Sequence, residues 1–124
     1  MTRLFLLSGS VFGFLSVALG AFAAHALKEK LDAYSLGVFQ TGVQYQFFHA
    51  LALLLVGLLS HTVNPEGFKA AGFSFLFGIV VFSGSLYLLA FTGVKWLGAI
   101  TPIGGLGFLV GWVALFLSVL KNVR

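Results

Sequence analysis

Between Arg3 and Lys28 the chain carries no ionisable side chain except His25, and the run from Leu4 to Leu27 is otherwise apolar or small. About 20 such residues in a helix cross the hydrocarbon core of a bilayer. Further apolar runs lie within Ala50–Leu59, Ala70–Phe91 and Pro102–Leu120. This pattern restricts the chain to an all-α integral membrane protein, a four-helix transmembrane bundle running up-down-up-down with both termini on one side. Composition agrees: 60% of residues are hydrophobic and 8% charged, where soluble domains carry about 25% charged residues. The formal charge of +4 is not a nucleic-acid footprint, because the basic residues sit at the ends of apolar segments, where they anchor and orient helices. No nucleic-acid partner is expected. The absence of cysteine excludes disulfides and thiolate metal sites.

At 124 residues one membrane domain, residues 1–124, is expected. The first span covers about residues 4–27. A secretory signal would also begin basic and then apolar, but its apolar part is about 7–15 residues long, so the first span is read as retained. Gly9, Gly13, Ser16, Gly20 and Ala23 recur at spacings of 4, 3, 4 and 3. Small side chains at that period let a second helix backbone approach closely in lipid. Lys28 to Phe39 reads as an interfacial connection.

The second span is decided by length. Ala50–Leu59 contains only ten residues, half of what a crossing needs. The helix must therefore reach back to about residue 36 and end near 60, drawing Gln40, Thr41, Gln44, Tyr45, Gln46 and His49 into the membrane. At about 100° per residue Thr41, Tyr45 and His49 share an arc of about 80°, with Gln44 and Gln46 on opposite flanks. So broad a polar surface is expected to be enclosed by protein in the outer half of the bundle, against Ser83, Ser85 and Tyr87 of the third span and the His25 end of the first. Asn64-Pro65-Glu66 reads as a cap, first-turn proline and first-turn acid, which places the third span at about 65–91. Thr101-Pro102 repeats the signature, giving a fourth span of about 102–120. Gly104, Gly107, Gly111, Ala114 and Ser118 form its small-residue seam. Arg3, Lys69, Lys121 and Arg124 on the terminal side outnumber Lys28, Lys30 and Lys95 opposite, so cytoplasmic termini are expected.

The segments Gly20-Ala21-Phe22-Ala23-Ala24-His25-Ala26-Leu27, Thr41-Gly42-Val43-Gln44-Tyr45-Gln46 with His49-Ala50-Leu51-Ala52-Leu53, Phe82-Ser83-Gly84-Ser85-Leu86-Tyr87 and Thr101-Pro102-Ile103-Gly104-Gly105 carry a resemblance. Over its full length the chain resembles the YgdD/YwdK-type small multi-pass membrane proteins, a family with a domain of unknown function. It departs from their pattern at Ala24, where glycine is expected, and at Phe48, where tyrosine is common. The resemblance implies a four-helix protein of the bacterial inner membrane and brings no activity with it.

The residues leave three uses open for the polar cluster. It can fix helix register in a non-enzymatic accessory, scaffold or assembly protein whose partner is another membrane protein or a second copy. Alternatively, His25, Tyr45, His49 and Tyr87 can line a pocket between the first three helices for a lipid-like or quinone-like head group. Catalysis or metal chemistry is the third use. It is disfavoured because Glu29, Asp32 and Glu66 all lie in connections and no carboxylate falls within a span. The expectation is the first use, without cofactor, metal or catalytic residue.

Overall fold

A computed structural model describes Met1–Arg124. Four helices cross the length of the molecule: α1 (Thr2–Lys30), α2 (Ala33–Thr62), α3 (Lys69–Thr92) and α4 (Leu97–Asn122). Each is long and apolar enough to span a membrane, and there are no strands. Sequential neighbours are antiparallel. Thr2 Oγ1 meets Ser60 Oγ at 2.6 Å, and Asn64 Nδ2 donates to Asn122 Oδ1 at 2.9 Å, so both termini and the α2–α3 connection lie at one end.

The helices are not equivalent. Within their apolar spans 44% of α2 and of α3 is buried, against 17% of α1 and 22% of α4. Helices α2 and α3 form a central pair; α1 packs chiefly on α2, and α4 chiefly on α3. One apolar core draws on all four, with Phe5, Leu53, Val56, Phe75 and Phe108 among its members. Lipid tails are as apolar as these side chains, so close packing rather than water expulsion holds the core. The Phe5 ring reaches α3 where Gly72 has no side chain; a Cβ there would fall 2.2 Å from it.

Helix boundaries depart from the sequence reading in three places. Lys28–Phe39 is not a connection: α1 continues to Lys30, and α2 begins at Ala33 behind Asp32, whose carboxylate accepts from the Ser35 N–H at 2.7 Å. Such a cap satisfies an otherwise orphaned first-turn donor. Asp32 is exposed, and the Ser35 hydrogen bonds hold its carboxyl below the usual carboxylate range. Second, α3 begins at Lys69 rather than Pro65. Asn64 Oδ1 takes the Glu66 N–H in a local turn, and the turn places Phe68 in the core with no exposure. Third, α4 begins at Leu97 and contains Pro102. Its first turn is tight, with Leu97, Gly98 and Ala99 N–H groups bonded three residues back. Pro102 forfeits one ladder bond, the one to the Gly98 carbonyl, and both residues lie on the exposed side. Thr101 is therefore no cap; its hydroxyl turns inward. Helices α1 and α3 each contain one π-helical turn, Ala23–Leu27 and Ile79–Ser83, neither of which the sequence marks.

The two glycine seams also differ. Gly104, Gly107 and Gly111 all face α3, and a Cβ on Gly104 would fall 2.3 Å from the Phe82 backbone nitrogen. In α1, Gly9 lies against the Ala50 carbonyl of α2, Ser16 is buried and Gly20 approaches Val43. Gly13 faces open space, so it does not belong to the contact seam.

Candidate functional site

The polar residues of α2 separate into two groups on opposite faces. Gln46 and His49 point inward, 3% and 4% exposed. Gln46 Nε2 donates to the Phe12 carbonyl of α1 at 3.0 Å, while its Oε1 accepts from the Tyr87 hydroxyl of α3 at 2.6 Å. One amide thus joins three helices. The Tyr87 ring lies over Gly42, whose added Cβ would meet it at 2.8 Å. Ser83 Oγ donates to the Gly42 carbonyl at 2.7 Å, completing the α2–α3 contact. Ser85 and Thr101 hydroxyls meet at 2.6 Å and tie α3 to α4.

His49 fills the space between α2 and α4. Its ring stacks on Phe108 with centroids 3.6 Å apart. Trp112 Nε1 donates to His49 Nε2 at 3.0 Å, and His49 Nδ1 lies 2.7 Å from the Tyr45 carbonyl. An indole N–H only donates, so Nε2 must be the acceptor and Nδ1 must carry the proton. The imidazole is a neutral tautomer with both nitrogens engaged.

The other group faces outward. Gln40, Thr41 and Gln44 are exposed, contrary to the expectation that protein encloses them. Thr41 satisfies its hydroxyl on its own helix through the Gly37 carbonyl. Gln40 and Gln44 lie on the side of α2 turned away from α3 and α4, next to a groove of about 220 Å³ lined by Ser16, Val17, Val43, Gln44 and Phe47. Tyr45 is 39% exposed and contributes a ring packed on Phe48 and Phe82. His25 is exposed in the π turn of α1 and joins no cluster. The predicted meeting of His25 with α2 is replaced by the Phe12 carbonyl.

His49 is the seventeenth of thirty residues in α2, near the middle of the helix. No cleft in the fold is lined by His25, Gln46, His49 or Tyr87, and every buried side-chain nitrogen and oxygen has a partner. Space between α1, α2 and α3 for a head group is taken up by the Tyr87 ring and the Gln46 amide. No three His, Asp or Glu side chains converge as a metal-binding group. Two residues the sequence reading missed are Thr101 and Trp112. An indole N–H midway along an apolar helix needs an acceptor, and that need was the available signal for Trp112.

Gln46, His49 and the α3 residues Ser83, Ser85 and Tyr87 all fall within the stretch that matches a known sequence family. Residues 19–105 match the family model described as "Protein of unknown function (DUF423)". The chain belongs to the DUF423 family. A UPF0382 membrane protein of Haemophilus influenzae is 46% identical over 110 residues, covering 89% of this chain and 88% of its own. The UPF0382 membrane protein YwdK of Bacillus subtilis is 42% identical, with 96% and 98% covered. The UPF0382 inner membrane protein YgdD of Escherichia coli is 37% identical, with 99% and 94% covered. No solved structure matches the chain. The DUF423 chain is accordingly a four-helix membrane protein, and its matched region holds both glutamine groups.

Proposed function

We propose that this DUF423 protein is a non-enzymatic accessory or assembly protein of the inner membrane, with cytoplasmic termini, that docks a helix of another membrane protein on the outer face of α1 and α2. The observation that carries the reading is the pair of unpartnered amides, Gln40 and Gln44, on that face. Centred on about 30 Å of hydrocarbon at about 1.5 Å per residue, α2 places Gln44 roughly 10 Å inside the apolar layer. A polar group left unsatisfied there costs several kcal/mol, and a neighbouring transmembrane helix is what relieves it. The groove beside Gln44, between Ser16 and Val17 of α1 and Val43 and Phe47 of α2, gives that helix a close approach.

The inward cluster supports a structural role. Its hydroxyls are bonded to carbonyls or to one another, and both nitrogens of His49 are engaged. No hydroxyl is paired with a base as a nucleophile would require. The test is purification in mild detergent followed by protein mass spectrometry, comparing the native chain with Gln40→Leu/Gln44→Leu. The reading expects a stoichiometric membrane partner with the native chain, lost from the variant without loss of thermal stability. A partner retained by the variant, or a native chain that carries only itself, would overturn it.

A further inference from the structure

On the terminal side, away from Gln44, an open cleft of about 390 Å³ lies between the α2–α3 connection and the last turn of α4. Ligand sites commonly have volumes of about 300–1,000 Å³. Its walls are fixed by a chain of amides: Asn64 Nδ2 donates to Asn122 Oδ1, and Asn122 Nδ2 donates to the Ser118 carbonyl at 2.8 Å. Lys121 and Glu66 bring opposite charges to the rim. Lys121 makes no ion pair, and Glu66 has only a 3.5 Å contact to Lys69 between exposed side chains.

This cleft does not end in solvent. Leu117 lines both it and an apolar groove over Ala114 and Val110, and Val110 lines a second groove reaching Gly107 beside Phe73 and Phe77. From Leu117 to Gly107 the helix rises about 15 Å, half the hydrocarbon thickness and hence the depth of one leaflet. A charged cleft at the interface thus continues into an apolar channel one leaflet deep.

We propose that this surface holds one phosphatidylethanolamine molecule, its phosphate on Lys121, its ammonium on Glu66 and one acyl chain along Ala114, Val110 and Gly107. The charge pattern selects the head group. Phosphatidylglycerol presents neutral glycerol hydroxyls in place of the ammonium, so it forms no ion pair with the Glu66 carboxylate. A choline head group has no N–H to donate to that carboxylate. The inference is independent of the partner-docking face, because no residue is shared between them.

The test is native mass spectrometry of the whole protein with equal amounts of dioleoyl phosphatidylethanolamine, phosphatidylglycerol and phosphatidylcholine. One phosphatidylethanolamine per chain is expected, retained roughly fivefold over either competitor, the weight of one partly exposed charge contact. Glu66→Gln should abolish that preference, and Lys121→Ala should lower retention of all three. Ala114→Phe fills the groove from its half-buried floor and should also lower retention of all three, with the melting temperature in detergent showing that the variant is folded. Equal or greater retention of phosphatidylglycerol, no retained lipid, or a folded Ala114→Phe protein that holds lipid as before would overturn the proposal.

Discussion

Replacing Gly104 and Gly13 separately by alanine should have opposite consequences, although both glycines sit in small-residue seams of flanking helices. At Gly104 the new methyl would lie 2.3 Å from the Phe82 backbone nitrogen and 2.7 Å from its Cα. Neither atom belongs to a flexible side chain, so α3 and α4 must separate by about 1 Å to restore ordinary contact. That movement also loosens the Gly107 and Gly111 approaches to Phe77 and Phe75. Overpacking of this kind costs about 1–3 kcal/mol, and a backbone clash belongs at the upper end. At Gly13 no atom lies within 4 Å of the added methyl, so Gly13→Ala should be neutral or slightly stabilising through helix propensity. The assay is thermal unfolding in one detergent, followed by circular dichroism and by size-exclusion recovery. Gly104→Ala should melt several degrees lower and Gly13→Ala should not. Equal shifts for both, or an unchanged Gly104→Ala protein, would refute the packing argument.

Three further outcomes follow from the buried bonds and the cap. Gln46→Leu removes two interhelical hydrogen bonds and leaves the Tyr87 hydroxyl unpaired; at about 0.6 kcal/mol per membrane hydrogen bond, a loss of roughly 1–2 kcal/mol in detergent unfolding is expected. Nitrogen-15 NMR of labelled histidine should show His49 as the Nδ1–H tautomer, and Trp112→Phe should shift the Nε2 resonance by removing its donor; a native Nε2–H signal would contradict the assigned bond. For Asp32 the folded carboxyl lies below its unfolded value, so its contribution is present at neutral pH and is lost as pH falls through the folded pKa. Asp32→Ala should fray the start of α2 at neutral pH in amide exchange, Asp32→Asn should not, and native and alanine proteins should converge in acid.

The spans were legible because hydrocarbon thickness sets a length that few sequences satisfy by accident. The same arithmetic correctly moved Gln40–His49 from a linker into a helix. It could not say which glutamine faces inward: Gln44 and Gln46 differ by about 200° around the axis, and a polar arc alone has no inside. Neighbouring small residues decide it. Gly42 admits the Tyr87 ring, and with it Gln46 rather than Gln44 gains a partner. Pro102 was misread as a helix start because its missing N–H is least costly in the first turn, whereas here a glycine four residues earlier and an exposed face make it tolerable further in. In α4, Gly104, Gly107 and Gly111 lie against α3 while Gly13 of α1 has no neighbour, so the spacing of small residues does not reveal which of them packs.

The central claim is that the outward amides of α2 are covered by another protein in the membrane, and site-specific photo-crosslinking tests it most directly. A photoreactive residue placed at Phe48, exposed one helical turn beyond Gln44, should give a single discrete crosslinked protein in intact membranes. The same residue at Val113, exposed on α4, should give lipid adducts only, and Gln44→Leu should abolish the Phe48 product. Lipid adducts alone at Phe48, or a protein adduct that survives Gln44→Leu, would contradict the account.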